Sequence, residues 1–385
     1  MDYLLNEQQV MIRDLARQIA NDKIRPIAAK YDETEEFAWD IVKVLADSDL
    51  FGIYIPEAYG GLGGGVMEMC IVAEELSKAC GGIALGFAGT ALGTYPILLY
   101  GNDEQQKKYL PDIAKGKKLA AFCITEAEAG SDAGSIKTNA KKEGDHYILN
   151  GTKQWITNAG EADVYTVIAM TDRTKGARGA SAFIVEKGMK GLEFGQKEKK
   201  LGIRASATRE VIFTDCKIPK ENLISKEGMG FIVAMKTFDN SRPGVAAQAL
   251  GIAQGALDHA LEYARKRVQF GQPISSFQAI QHMLADMATQ IEAARSLVYA
   301  TARMIDSGAK DIAKESAMTK VFASDVAMKV TVDAVQVFGG YGYMRDYPIE
   351  KYMRDAKITQ IYEGTNQIQR NVIALHLIKE SLKAK

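Results

Sequence analysis

Ile280-Gln281-His282-Met283-Leu284-Ala285-Asp286-Met287-Ala288-Thr289-Gln290-Ile291-Glu292-Ala293-Ala294-Arg295-Ser296-Leu297-Val298 decides the architecture. Within it Ile280, Leu284, Met287, Ile291, Ala294 and Val298 recur at alternating spacings of four and three. At about 3.6 residues per turn these positions share one stripe, so the segment reads as a long bundle helix with one buried face. Helical periodicity of this kind runs from residue 231 to 385. Arg242-Pro243, near its start, fits the tolerance of proline in a first helical turn.

Upstream, residues 121–230 change texture. Short β-rich runs appear, Tyr147-Ile148-Leu149, Val164-Tyr165-Thr166-Val167-Ile168 and Val211-Ile212-Phe213, separated by turn residues such as Glu143-Gly144-Asp145 and Asn150-Gly151. No amphipathic helix lies between them, which favours an antiparallel sheet, barrel or sandwich over βαβ units. Residues 1–120 are helical again. Asn6 followed by Gln9 suits a helix N-terminus. Met11, Leu15 and Ile19 predict a buried stripe. Val66, Cys70, Ala73 and Leu76-Ser77 form another pattern, expected to end at Gly81-Gly82. The expected fold is α+β and mostly α: an N-terminal helical domain, a middle antiparallel β-barrel or sandwich domain, and a C-terminal four-helix-bundle domain.

Composition fits two or three ordinary globular domains, with 385 residues, 47% apolar and 25% charged. Lys plus Arg and Asp plus Glu both number 48, so no charge excess argues for nucleic acid or a membrane surface. Cys70, Cys80, Cys123 and Cys216 form no CxxC pair, against a zinc ribbon or disulfide framework and in favour of a reduced, cytoplasmic setting. Met1-Asp2-Tyr3-Leu4-Leu5-Asn6-Glu7 lacks the basic and apolar regions of a secretory signal. No unbroken apolar run is long enough for a membrane span. His146, His259, His282 and His376 show no metal-ligand spacing, and no metal is expected. Gly60-Gly61-Leu62-Gly63-Gly64-Gly65 does not complete GxGxxG, because Val66 stands where the last glycine belongs, and reads as a loop between helices. No Walker loop, HExxH or GxSxG sequence occurs.

Three segments stand out by composition: Phe122-Cys123-Ile124-Thr125-Glu126-Ala127-Glu128-Ala129-Gly130-Ser131-Asp132, Trp155-Ile156-Thr157-Asn158, and Ile361-Tyr362-Glu363-Gly364-Thr365-Asn366-Gln367-Ile368-Gln369-Arg370. Each has a plain explanation by itself. The acidic residues of the first make a solvated turn, Trp155 packs in a core, and Glu363 ends a helix. Taken together, in this order and separation, they resemble the acyl-CoA dehydrogenase family. So do Arg267-Val268-Gln269-Phe270-Gly271, Gln336-Val337-Phe338-Gly339-Gly340-Tyr341-Gly342 and Tyr352-Met353-Arg354-Asp355-Ala356-Lys357. The resemblance covers nearly the whole chain.

The resemblance implies an FAD enzyme that removes two hydrogens from the α and β carbons of an acyl-CoA thioester, as in fatty-acid β-oxidation. It implies that Phe122, Ile124 and Thr125 contact the flavin ring, with Gly130 and Ser131 in the same segment and Ser131 where flavin meets CoA. Trp155 would cover a ring face and Thr157 reach its polar edge. Arg267, Phe270, Gln278, Gln336, Gly339 and Gly340 match adenosine and pyrophosphate contacts, completed by Thr365 and Gln367. Glu363 matches the base, with its backbone N–H as one donor to the thioester oxygen. Gly364 beside it would leave room for the acyl chain, and Tyr362 and Arg242 belong to the substrate side, Arg242 near the CoA end. A capping salt bridge is the alternative for Arg242. Some members carry the base at the position of Ser241, where serine cannot serve.

The implied partners are an electron-transfer flavoprotein and further copies of the chain, as a homotetramer built from two dimers. The location is bacterial cytoplasm, with a mature mitochondrial matrix form as the alternative. The charge-free, small-residue segment Gly86–Pro96 points to a short or medium straight acyl chain. An alicyclic or branched acyl group, and an enoyl-CoA reductase running in reverse, stay open. Length disfavours an acyl-CoA oxidase, and Glu363 disfavours a nitroalkane oxidase, which carries Asp. A catalytically silent scaffold is the reading from a different class, and a colourless purified protein would favour it.

Overall fold

The computed structural model describes residues 3–383, so Met1 and Asp2 of the leader reading lie outside the described residues. Helix α1 (Glu7–Ile19) opens with a reciprocal box: Asn6 Oδ1 accepts the Gln9 N–H at 2.8 Å, and Gln9 Oε1 accepts the Asn6 N–H at 3.1 Å. Its buried stripe is Ile12, Ala16 and Ile19. Met11 is 72% exposed and Leu15 also faces outward, so the expected register holds only at Ile19. Repeated steps of four advance about 40° each around a helix, whereas the four-then-three spacing of Ile12, Ala16 and Ile19 stays on one face.

Helices α2 (Ala28–Thr34) and α3 (Trp39–Asp47) precede α4 (Val66–Ser77), and the glycine-rich stretch is the loop before α4. Gly81-Gly82 do not end α4; they begin α5 (Gly81–Tyr100). Neither has a positive φ, and added Cβ atoms would meet Ile252 at 2.7 Å and the Ile203 backbone at 3.1 Å. Close packing, rather than a helix stop, accounts for these glycines. By length and composition α5 could cross a membrane, yet 78% of its apolar window is buried inside the protein. Helix α6 (Asp103–Ala114) completes this layer.

The middle layer holds β1 (Ala120–Cys123), β2 (Asn139–Glu143), β3 (His146–Thr157), β4 (Val164–Met170), β5 (Ala180–Glu186), β6 (Leu192–Phe194), β7 (Thr208–Pro219) and β8 (Leu223–Ile224). The strands run in the order β6-β7-β3-β2-β4-β5-β8, with β1 paired to β4. β1 and β2 meet β4 in parallel, and the other pairings are antiparallel. Asn150-Gly151, expected as a turn, lies inside β3 as a register shift against β7. The Asn150 amide and the Asp215 peptide and carboxylate bond reciprocally at 2.8 and 3.0 Å, while Gly151 takes a φ of 143°. A bulge leaves the strand paired on both sides of the irregularity. The second shift, between Lys153 and Ile156, brackets Trp155.

The third layer starts with α7 (Gly230–Lys266), followed by the hairpin β9 (Val268–Gln269) and β10 (Gln272–Pro273). Then come α8 (Gln278–Asp306), α9 (Ala313–Phe338), α10 (Ile349–Ile358) and α11 (Asn366–Lys383). Met287, Ile291, Ala294 and Val298 are buried along α8, as their spacing predicts. Helices α7, α8 and α9 pack on one another, α11 packs on α9, and α4 joins α7 and α8 from the first layer. Pro243 is not in a first turn but well inside α7. Lacking an N–H, it leaves the Asp239 carbonyl without its helical donor, and the Ser316 hydroxyl of α9 fills that role at 2.6 Å. The four cysteines are buried and unpaired.

Candidate active site

The short link between α10 and α11 carries Glu363 and Gly364 in consecutive left-handed conformations, φ 52° and 91°. For glutamate this is strained, so the surroundings must hold it. Gln369 Nε2 donates to the carbonyls of Glu363 and Gly364, each at 3.1 Å. Arg242 Nε reaches the Glu363 carbonyl at 3.4 Å, and Lys320 Nζ reaches that of Gly364 at 2.9 Å. A Cβ on Gly364 would lie 2.3 Å from Gln369 Nε2. The need for glycine there thus comes from backbone conformation and from Gln369.

The Glu363 carboxylate accepts a hydrogen bond from the Ser241 hydroxyl. Burial pushes its pKa up, while the Ser241 bond and the charges of Arg242 and Lys320 act against that rise without cancelling it. The Glu363 N–H has no acceptor among the described residues. Burial also lowers the Lys320 ammonium to about 7, with the Glu363 charge acting in the opposite sense.

Glu363 and Tyr362 border a cavity of about 120 Å³. Leu85, Ala88, Gly89 and Leu92 of α5 form one wall, and Met69, Tyr95 and Gln248 lie among its other lining residues. The Tyr362 hydroxyl bonds to Gln248, and the buried Tyr95 hydroxyl has no partner among the described residues. Phe122, Ile124, Thr125, Trp155 and Thr157 of the middle layer also line the cavity. Trp155 is 57% exposed at a φ of 56°, and Phe122 meets Phe238 edge-on at 5.4 Å. The Thr125 and Thr157 hydroxyls make no hydrogen bond among the described residues, which leaves them free for a ligand.

Glu126 is not part of a solvated turn. It is buried, accepts the Lys137 and Thr138 N–H groups at 2.6 and 2.9 Å, and pairs with Lys153 at 2.8 Å. Lys153 Nζ also bonds the Ile124 carbonyl at 2.8 Å, so this buried pair holds the lining segment 122–125 in place. Burial opposes both charges, but the lysine and the two peptide donors keep the Glu126 carboxyl below the usual range. Glu128 and Asp132 are exposed, as are Gly130 and Ser131, which do not line the cavity.

Arg267, Gly339 and Gly340 line a separate groove with Tyr263, Phe338 and Tyr341. The Arg267 guanidinium sits 5.3 Å above the Tyr341 ring, with no carboxylate partner among the described residues. Gly339 has a φ of 60°, and added Cβ atoms on either glycine would meet nothing. Phe270 is 95% exposed at the hairpin tip; Gln278, Gln336 and Gln367 are exposed and Thr365 is half-buried. Arg242 is buried behind the base, beside Asp239 at 3.4 Å and over the Phe238 ring at 5.8 Å. The residues present fit FAD: open hydroxyls and an exposed indole for the ring system, a free guanidinium and open glycine backbone for phosphates.

Sequence reading assigned no role to Lys320 or Gln369, and treated Ser241 only as a position that cannot supply a base. A signal existed for Lys320, which shares the buried stripe of Ala317, Ala323, Ser324 and Ala327 on α9. Nothing comparable marked Gln369.

Models of the acyl-CoA dehydrogenase N-terminal, middle and C-terminal domains match residues 6–117, 121–216 and 228–378. The short-chain specific acyl-CoA dehydrogenase of Clostridium acetobutylicum is 50% identical, over 97% of this chain and 99% of that protein. The acryloyl-CoA reductase (NADH) of Anaerotignum propionicum is 46% identical over 98% and 96%. Among solved structures, butyryl-CoA dehydrogenase from Megasphaera elsdenii superposes with a TM-score of 0.96 at 46% identity, covering 98% and 100%. A chain from a structure of the electron transferring flavoprotein of Acidaminococcus fermentans, solved in work on flavin-based electron bifurcation, gives 0.96 at 51%, covering 98% and 99%. The chain belongs to the acyl-CoA dehydrogenase family, and it is an FAD-dependent oxidoreductase.

Proposed function

We propose that this enzyme oxidises a short, straight-chain acyl-CoA to the trans-2-enoyl-CoA, with Glu363 removing the α-proton. The observation that carries the reading is Glu363 itself, half-buried against a largely apolar cavity, with a desolvated carboxylate and a peptide N–H that has no acceptor among the described residues. Such an N–H is available to the thioester oxygen, where it would favour the charge that develops as the α-proton leaves. Burial brings the carboxylate closer in basicity to the activated carbon. Bound FAD supplies the acceptor for the β-hydride. Phe122, Ile124, Thr125, Trp155 and Thr157 would hold its ring system, with Arg267, Phe270, Gln278, Gln336, Gly339 and Gly340, together with Thr365 and Gln367, toward its other end. Exposure of Phe270, Gln278, Gln336, Gly339, Gly340 and Gln367 fits a site completed by another copy of the chain, in a tetramer of two dimers.

The aromatic Tyr95 lining the cavity favours a short acyl group. Similarity to a chain from an electron transferring flavoprotein structure supports such a protein as electron acceptor. The bacterial origin of close relatives supports a cytoplasmic enzyme. Anaerobic titration of the yellow protein with butyryl-, octanoyl- and cyclohexanecarboxyl-CoA tests the reading: butyryl-CoA should bleach the flavin band most effectively. A band unmoved by all three would remove it. A second reading, reduction of a short enoyl-CoA, draws on the acryloyl-CoA reductase likeness. It predicts reoxidation of the dithionite-reduced protein by crotonyl-CoA to be favoured over bleaching by butyryl-CoA.

A further inference from the structure

We propose that Lys320 is a positioning residue for the base: its buried ammonium holds the Gly364 carbonyl and so sets the turn that presents the Glu363 carboxylate and N–H together. This rests on the reading of Glu363 as base. Lys320 is fully buried on α9, and no carboxylate lies within ion-pair distance among the described residues. An ammonium without such a partner is costly to bury, and packing between helices needs no charge. Its two acceptors are the Gly364 carbonyl and Asn366 Oδ1, both at 2.9 Å, one and three residues beyond Glu363. Asn366 is fixed in turn by Ser324 at 2.9 Å and Asp325 at 2.8 Å.

Helix α7 grips the Glu363 carbonyl through Arg242, and α11 grips both carbonyls through Gln369. Lys320 is the tie from α9 to Gly364 itself, and among the described residues it alone bonds Gly364 to a helix other than α11. Among the described residues, the charged groups facing this cluster are Glu363 on the link, Arg242 and Asp239 on α7, Asp325 on α9 and, paired with Asp325, Arg370 on α11. A positive charge here also favours the ionised carboxylate, so Lys320 would set both the geometry and the pH range of the base.

The test compares FAD-loaded wild type, Lys320→Met, Lys320→Gln and Glu363→Gln. Three quantities are read: kcat and KM with butyryl-CoA, the acid limb of kcat/KM, and deuterium uptake from D2O into the methyl group of acetyl-CoA. Acetyl-CoA has an α-proton and no β-hydrogen, so the last readout isolates the base from hydride transfer. For Lys320→Met, kcat should fall roughly 10- to 100-fold with deuterium uptake falling in parallel. KM should change much less, and the acid limb should move to higher pH. Lys320→Gln keeps an N–H donor without the charge; it should recover much of kcat but not the wild-type acid limb. Wild-type kcat, uptake and acid limb in Lys320→Met overturn the proposal. If that variant does not fold, an unshifted acid limb in Lys320→Gln overturns it. Deuterium uptake retained by Glu363→Gln removes the base assignment itself. A silent Glu363→Gln beside Lys320 variants indistinguishable from wild type removes only the role of Lys320.

Discussion

The Ser241 hydroxyl donates to the Glu363 carboxylate across 122 residues of sequence. A position at which serine cannot act as base instead supports the base supplied by another helix end. The bond stabilises the ionised form, so it restrains the upward pKa shift that burial imposes. Ser241→Ala should move the acid limb of kcat/KM to higher pH by about one unit, since the base works deprotonated and loses a donor to its charged form. A pH–rate profile superposing on wild type would deny the hydroxyl this role.

Glu363→Gln preserves shape and removes basicity. We expect kcat to drop roughly 100- to 10,000-fold, the range of a positioned general base. The purified variant should remain yellow, and anaerobic butyryl-CoA should no longer bleach it. Stopped-flow absorbance reads both at once.

Tyr95 is a bulky group among the residues lining the cavity. Tyr95→Ala should lengthen the space for the acyl chain, raising the kcat/KM ratio of octanoyl-CoA to butyryl-CoA about 10-fold. An unchanged ratio would place the limit on chain length elsewhere.

Arg267 offers a guanidinium with no carboxylate partner among the described residues, beside the open backbone of Gly339 and Gly340. Removing a charge-assisted phosphate contact in Arg267→Ala should weaken FAD binding by about 10-fold or more. Fluorescence titration of the apoprotein with FAD measures it, and wild-type affinity would exclude the contact.

The Glu126–Lys153 pair holds the cavity-lining segment at Ile124, and Lys153→Met leaves a carboxylate buried without its cation. The expected loss is about 3–5 kcal/mol, read by chemical denaturation. Glu126, and Glu74 beside Arg295, Lys78 and Tyr299, both have lowered folded pKa values although burial opposes their charge. Their stabilisation is therefore present above the unfolded value of 4.5 and lost as pH falls through the lower folded values. Lys153→Met raises the folded value of Glu126, so its stability deficit against wild type should be largest near neutral pH and narrow as pH falls and the buried carboxyl takes up its proton.

Much of the fold was legible because side-chain periodicity reports local chain geometry. The stripe of α8 and the box at Asn6 and Gln9 depend on neighbours within a few turns, and both were read correctly. One error was local, the α1 stripe, where repeated steps of four drift off a single face; the others came where distant contacts decide. Gly81-Gly82 read as a helix end because glycine usually stops helices, but here close packing against Ile203 and Ile252 called for them. Pro243 read as a first-turn residue because an interior proline wastes a carbonyl, and Ser316 of another helix makes good that loss. Asn150-Gly151 read as a turn because a bulge needs a partner strand to define it.

By itself the sequence determined the succession of helices, sheet and helices, the family likeness, and Glu363 as the residue to examine. Only the tertiary structure decided what surrounds that carboxylate: Ser241 and Arg242 from α7, Lys320 from α9 and Gln369 from α11. Local periodicity says which face of a helix is buried, but not which other face it meets. The state of a buried charge depends on the groups brought within a few ångströms of it, and packing brings them there from positions scattered along the chain.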